Sequence, residues 1–289
     1  MKKLALTFAL AALLSTSMFA QTTYKFGTFN FPGDTFTQLL GINNSDVIAG
    51  YHNANVFVGF TLVIPNHFTL ENYPGAAQTQ VVAIDNSGKT AGFYIDNNNI
   101  NHGFYDDSGS FTTVDFPGTS FNQLLSRNDL GQAAGYYADA AGNDHPYVYA
   151  EHGGVFSVIT IPGAISAQAT GINNTEEICG FWIDGNQTNH GFLLNAGTFR
   201  SLDFPGGTFT QALGLNNKNQ IVGTYNDAAS ATHGFIYNIA NKTYQSLDDP
   251  NGIGTTVING VNDKSDVVGF YLDATGNTDG FAAEPTGSR

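Results

Sequence analysis

The Pro-Gly steps of this chain fall at Pro32, Pro74, Pro117, Pro162, Pro205 and, with Asn251 intervening, Pro250, at successive spacings of 42, 43, 45, 43 and 45 residues. A fixed period of this size belongs to stacked units, none of which can bury its own faces alone. Two further landmarks keep the same order in every copy. An Asn/Asp pair stands at Asn43-Asn44, Asp85-Asn86, Asn128-Asp129, Asn173-Asn174, Asn216-Asn217 and Asn262-Asp263. A glycine then closes a short apolar run and is usually followed by aromatics, as in Gly92-Phe93-Tyr94 and Gly180-Phe181-Trp182.

Each unit reads as strands only. In the fifth copy, Phe199 to Phe204, Thr208 to Leu215, Gln220 to Tyr225 and His233 to Tyr237 are short runs rich in aromatic and β-branched residues, bounded by Gly, Pro, Asn or Asp. Asn216-Asn217-Lys218-Asn219 has the composition of a tight hairpin turn, and the fourth place holds Asp46, Gly88, Gly131 and Asn219 in four copies, all tolerant of left-handed backbone. No stretch after residue 20 repeats apolar residues at helical spacing. Six four-stranded units that need neighbours predict an all-β, six-bladed β-propeller rather than an open solenoid, whose ends need atypical caps. The termini complement each other: the chain enters on an outermost strand, Tyr24 to Phe31, and leaves after a third strand, Gly280 to Ala283. Docking Tyr24–Phe31 beside Phe281 completes the last blade and removes an open edge.

Met1-Lys2-Lys3, the apolar run Leu4 to Leu14 and the small residues up to Ala20 have the three regions of a secretory signal peptide. The expected organisation is a signal peptide over 1–20 and one six-repeat domain over 21–289, in the periplasm or outside the cell. Without Lys2 and Lys3 the chain carries 8 basic and 24 acidic residues, a net of −16. That balance argues against nucleic acid as a partner, and no second apolar run is long enough to span a bilayer. Cys179 is the single cysteine, so no intrachain disulfide forms; its place in the run Ile178-Cys179-Gly180 is that of a small core residue.

The fifth copy reads FRSLDFPG at 199–206, QALGLNN at 211–217, IVGTY at 221–225 and HGFIY at 233–237. This pattern resembles the extracellular HAF repeat family of bacterial exported proteins and covers nearly all of the chain after residue 20. The resemblance implies secretion and a repeated β architecture; the family is defined by its repeat, so it implies no activity.

Four copies place a histidine before a strand, His102, His145, His190 and His233, each preceded by Asp96, Asp139, Asp184 or Asp227. Either these loops are small polar ligand sites or the Asp and His satisfy the backbone of their own loops, and the second account is the simpler. The aromatics Tyr94, Tyr137, Trp182, Tyr225 and Tyr271 beside Asn and Asp have the composition of sugar-binding platforms; their places in strands also suit packing between blades. Trp182 is the best single platform. Arg127 breaks the repeat where other copies have Ile, Leu or Val, and is expected either to face the central channel and take an anionic group or to pair with a local carboxylate such as Asp129. No cofactor is expected and zinc spacing is absent; Asp96 to Asn99 and Asp184 to Asn186 are weak calcium loops without the EF-hand pattern. The function expected is an exported binding module for extracellular glycan or another surface polymer. The alternatives are a polysaccharide hydrolase or lyase at the channel mouth, using Arg127, and a structural surface protein.

Overall fold

The computed structural model describes residues 22–287, and the signal segment expected at 1–20 lies outside the described residues. Every element among them is a strand. The strands form six four-stranded antiparallel sheets arranged as the blades of a β-propeller. The blades are numbered I to VI by their inner strands, Thr37–Ile42, Gln78–Ile84, Asn122–Arg127, Ser166–Ile172, Phe209–Leu215 and Thr256–Val261. Blade V continues outward through Gln220–Asn226, Thr232–Asn238 and Thr243–Ser246.

The sequence unit and the blade are offset by one strand. Thr198–Leu202, which opens the fifth sequence copy, pairs with Asn189–Asn195 and forms the outer edge of blade IV. The ring closes as the termini predict: Tyr24–Thr28 pairs with Thr278–Pro285, with Thr28 opposite Phe281. The junction continues beyond the ladder, where Gly280 N donates to Asn30 Oδ1 at 3.0 Å and Asn30 Nδ2 donates to Asp279 Oδ1 at 2.6 Å.

The recurrent glycine has a steric cause. Each inner strand carries a β-bulge, and its neighbour must approach closely there. A Cβ at Gly92 or Gly223 would lie 2.0 Å from a carbonyl oxygen of the inner strand, Gln80 O or Gln211 O. The hairpin turn also holds in all six blades. Its fourth residue has a positive φ at Asp46, Gly88, Gly131 and Asn219, and also at Glu176 (61°) and Ser265 (69°), whose residue types did not announce it.

Between the sheets lies a core with one fully buried ring per blade: Phe60, Phe104, Tyr147, Phe192, Phe235 and Phe281. Burying each such ring contributes about 2–3 kcal/mol. Cys179 is in this core, and burial pushes its thiol up to about 12.

Candidate functional site

The hairpins between first and second strands gather the six Asn/Asp pairs around one end of the channel. The first member of each pair folds its own turn: Asn216 Oδ1 accepts the N–H groups of Lys218 and Gln220 at 2.9 and 3.0 Å. Its amide then reaches the next blade, as Asn216 Nδ2 donates to Asn262 O at 2.8 Å and Asn262 Nδ2 to Asn43 O at 3.2 Å. The second members form a closed cycle. Asn44, Asn86, Asp129, Asn174, Asn217 and Asp263 each donate a backbone N–H to the side-chain Oδ1 of the next, at 2.8–3.0 Å. Asp129 and Asp263, three blades apart, each accept two further amide N–H groups on Oδ2. Burial alone would raise both carboxyls, but the bonds from Asn174 and Asn86, and from Asn217 and Asn44, outweigh it and hold both below the ordinary range. These carboxylate oxygens are already engaged within the ring, which acts as an inter-blade clasp.

Arg127 lines the channel, and its guanidinium pairs with local carboxylates, as one expectation had it, although Asp129 is not among them. Its side chain is 3% exposed and lies between blades II and III, with Nε on Asp85 Oδ2 at 2.7 Å and Nη1 and Nη2 on Glu151 at 2.5 and 3.2 Å. Burial lowers its pKa, yet bonds to Glu151 and Asp85 outweigh that and raise it. The cause lies in Asp85, the one first member that is not Asn and so has no amide to donate. Arg127 comes from the blade that this amide would have reached, and the anionic ligand expected for it is supplied by the protein.

The opposite face carries the histidines. In blades II, IV and V one geometry recurs: Nδ1 of His102, His190 and His233 lies 2.8, 2.7 and 2.8 Å from Asp115, Asp203 and Asp248. Their Nε2 atoms face Asp96, Asp184 and Asp227 at 3.8, 3.7 and 3.5 Å. Among the described residues His145 of blade III forms its ion pair with Asp139 alone, at 2.9 Å. The loop aspartates also cap their own turns: Asp184 Oδ1 accepts the N–H groups of Asn186 and Thr188. Those backbone bonds are the leading reason that Asp96, Asp184 and Asp227 titrate low; at Asp139 the leading cause is the bond to His145. Burial lowers the His233 pKa, but Asp248 and Asp227 outweigh it and leave it raised. Among the described residues no group of three His, Cys, Asp or Glu is placed to hold a metal ion.

The aromatics expected as platforms are stacked inside the fold. Tyr94 lies between Tyr73, 3.7 Å away, and His102 at 4.8 Å; Tyr225 lies between Phe204 at 3.5 Å and His233 at 5.1 Å. Tyr137 is held likewise between Phe116 and His145. His190 stacks on Trp182 at 4.7 Å, and the indole Nε1 is buried with no partner among the described residues. Tyr271 is 3% exposed, with its hydroxyl 3.0 Å from Thr28 Oγ1. A ligand on this face therefore meets imidazole and carboxylate before it meets a phenol ring.

One series escaped the sequence reading. Gln38, Gln80, Gln123, Gln168 and Gln211 stand opposite the residue that follows the recurrent glycine in five blades, and two of these pairs, Gln80 with Phe93 and Gln168 with Phe181, line the channel mouth on the histidine face. The signal was their fixed place five residues before the Asn/Asp pair.

No family profile matches the chain, and no curated protein resembles it in sequence. Solved structures resemble it in fold. A putative TolB from Agrobacterium tumefaciens superposes with a TM-score of 0.61 at 8% identity, over 92% of this chain and 99% of the other. AofleA from Arthrobotrys oligospora gives 0.60 at 12% identity, over 92% and 87%. A mutant Aleuria aurantia lectin in complex with Fucalpha1-6GlcNAc gives 0.53 at 12% identity, over 88% and 97%. At such identities the likeness establishes the propeller fold alone.

Proposed function

We propose that this chain is an exported binding module that holds extracellular carbohydrate on the face carrying the histidines, and that it belongs with the HAF repeat proteins its sequence resembles. The observation that carries the reading is that the Asp–His–Asp cluster is built three times to one geometry although the blade closes without it. Blade I has Val58 at the histidine position and blade VI has Asp279 bonded to Asn30. A feature the fold does not require in every blade, half-exposed and rich in paired donors and acceptors, suits the hydroxyl groups of a polymer that crosses several blades. The lectin among the structural neighbours is consistent with this use of the fold.

The test is calorimetry of the purified chain against a panel of soluble polysaccharides, with reducing-end release followed in the same samples. Binding at several sites per chain, without product, and its loss in His102→Ala/His190→Ala/His233→Ala, is the expected result. Equal binding by that triple variant would sink the reading. Product formation would replace it with an enzyme, although Arg127 is committed to Asp85 and Glu151 and is not at hand for such chemistry.

A further inference from the structure

Below the channel mouth on the histidine face, each inner strand gives one residue to a ring, Leu40, Val82, Leu125, Thr170, Leu213 and Asn259, which forms a mostly apolar floor. Above that floor lies a cup of about 230 Å³. No Asp, Glu, His, Lys or Arg lines it, in a protein with a net charge of −14. Its walls carry the rings of Tyr51, Phe93 and Phe181, and its polar groups are the amides of Gln80, Gln168 and Asn259 with the hydroxyls of Tyr51 and Thr170, a combination that holds a neutral hydroxylated ligand: C–H faces against aromatic carbon, hydroxyls against uncharged donors and acceptors.

The cup is not sixfold, and the differences locate its open hydrogen-bonding corner. At blades I and III the glutamine oxygen is engaged, because Tyr51 Oη donates to Gln38 Oε1 at 2.7 Å and Tyr136 Oη to Gln123 Oε1 at 2.8 Å. At blade II the facing residue is Phe93, which has no hydroxyl, and the Gln80 amide bonds to no described residue. At blade IV Gln168 faces Phe181 and gives its Nε2 to Asp144 at 2.7 Å. Neither Phe93 nor Phe181 contacts another aromatic ring among the described residues, whereas Tyr51 packs on Phe36 and Phe57. Asn259 of blade VI donates Nδ2 to Leu39 O at 3.2 Å, which leaves its Oδ1 as an acceptor. The volume is below the ~300–1,000 Å³ of pockets for drug-sized ligands, so one sugar ring fits the scale and a polymer chain does not.

We propose that this cup binds a single uncharged sugar residue, packed on Phe93 or Phe181 and hydrogen-bonded to Gln80 and Asn259. The inference rests on the carbohydrate reading for the class of ligand but not for its location, since the blade-rim histidines are separate from the cup. A polymer lying across the rim can present its end, or a branch, to the channel mouth.

Saturation-transfer NMR and calorimetry of the full chain test this with the methyl glycosides of glucose, galactose, mannose, fucose and N-acetylglucosamine, and with glucuronate as an anionic comparison. The expected result is one-to-one binding of at least one neutral glycoside, with Kd near or below about 1 mM, and none of glucuronate. Gln80→Leu should weaken it about tenfold, and Val82→Phe, which fills the cup from its floor, should abolish it. The triple histidine variant should leave it unchanged. Should Val82→Phe fail to fold, Gln80→Leu carries the test alone, because it alters only a side-chain amide at the mouth. Monosaccharide binding that survives both cup variants, or that is lost with the histidines instead, overturns the cup and leaves the rim reading standing. No binding of any neutral glycoside also overturns it, and polysaccharide binding then decides the rim separately.

Discussion

Arg127 Nε donates to Asp85 Oδ2 across 2.7 Å, and each of the two side chains is 3% exposed. Forty-two residues separate them, and each is explained only by the other: an aspartate interrupts the amide ring, and an arginine from the next blade takes up its charge. Arg127→Leu should therefore destabilise by about 3–5 kcal/mol, because it leaves a buried carboxylate unpaired. Adding Asp85→Asn should recover most of that loss, since the asparagine restores the amide that five other blades use. Denaturant unfolding of the two single variants and the double variant measures the coupling. Additive effects would show that the pairing is incidental.

Glu71 sets the pH dependence of the contact between blades I and II. It accepts a hydrogen bond from the hydroxyl of Thr90, whose cross-strand partner Asp106 is buried with Oδ1 lacking a partner among the described residues. Burial raises the Glu71 carboxyl, the Thr90 bond lowers it and Asp106 raises it, with the result pushed up to about 7. A carboxyl raised by folding contributes stability that is fully present below its unfolded value and is lost as pH rises through the folded one. Glu71→Gln should thus leave the Tm unchanged near pH 4 and raise it at pH 8.5. After a discount for its partial exposure the gain is about 1 kcal/mol, or roughly 2–4 °C. A variant less stable than the parent at pH 8.5 would contradict this account.

Removal of residues 1–30 takes away the strand that completes blade VI and bares the edge of Thr278–Pro285. The shortened chain should lose more than about 4 kcal/mol, or roughly 10 °C in Tm, and should associate through the exposed edge. Thermal unfolding and size-exclusion chromatography follow both effects, and a synthetic Thr22–Phe31 peptide should restore the parent values. An unchanged, monomeric product would mean that the strand is ornamental.

The architecture was legible because its causes are local and repeated. The turn at Asn216 to Asn219 is folded by the Asn216 side chain acting on its own loop, and the glycine before Thr224 is required by a carbonyl 2.0 Å from where a Cβ would stand. Such signals occupy a few adjacent residues, so six copies make them plain. The complementary termini were readable for the same reason: a missing strand at one end and a spare strand at the other can be counted along the chain. The histidine loops were half-legible, since the Asp of each loop could be assigned to its own turn, but the second carboxylate, such as Asp203 for His190, comes from just past the following outer strand.

By itself, then, the sequence determined the number of blades, their strand content, the turns and the closure of the ring, because each follows from backbone geometry that one short segment imposes on itself. The tertiary structure alone decided what the departures from the repeat mean. Arg127 could be read as a channel residue or as the partner of a local carboxylate until Asp85 of the neighbouring blade stood beside it, and Gln80 looked like one of five equal glutamines until Phe93 proved to lack the hydroxyl that engages Gln38 and Gln123. Both depend on side chains brought together from different strands or different blades, and no periodicity along the chain records which partner a buried charge or a free amide will meet.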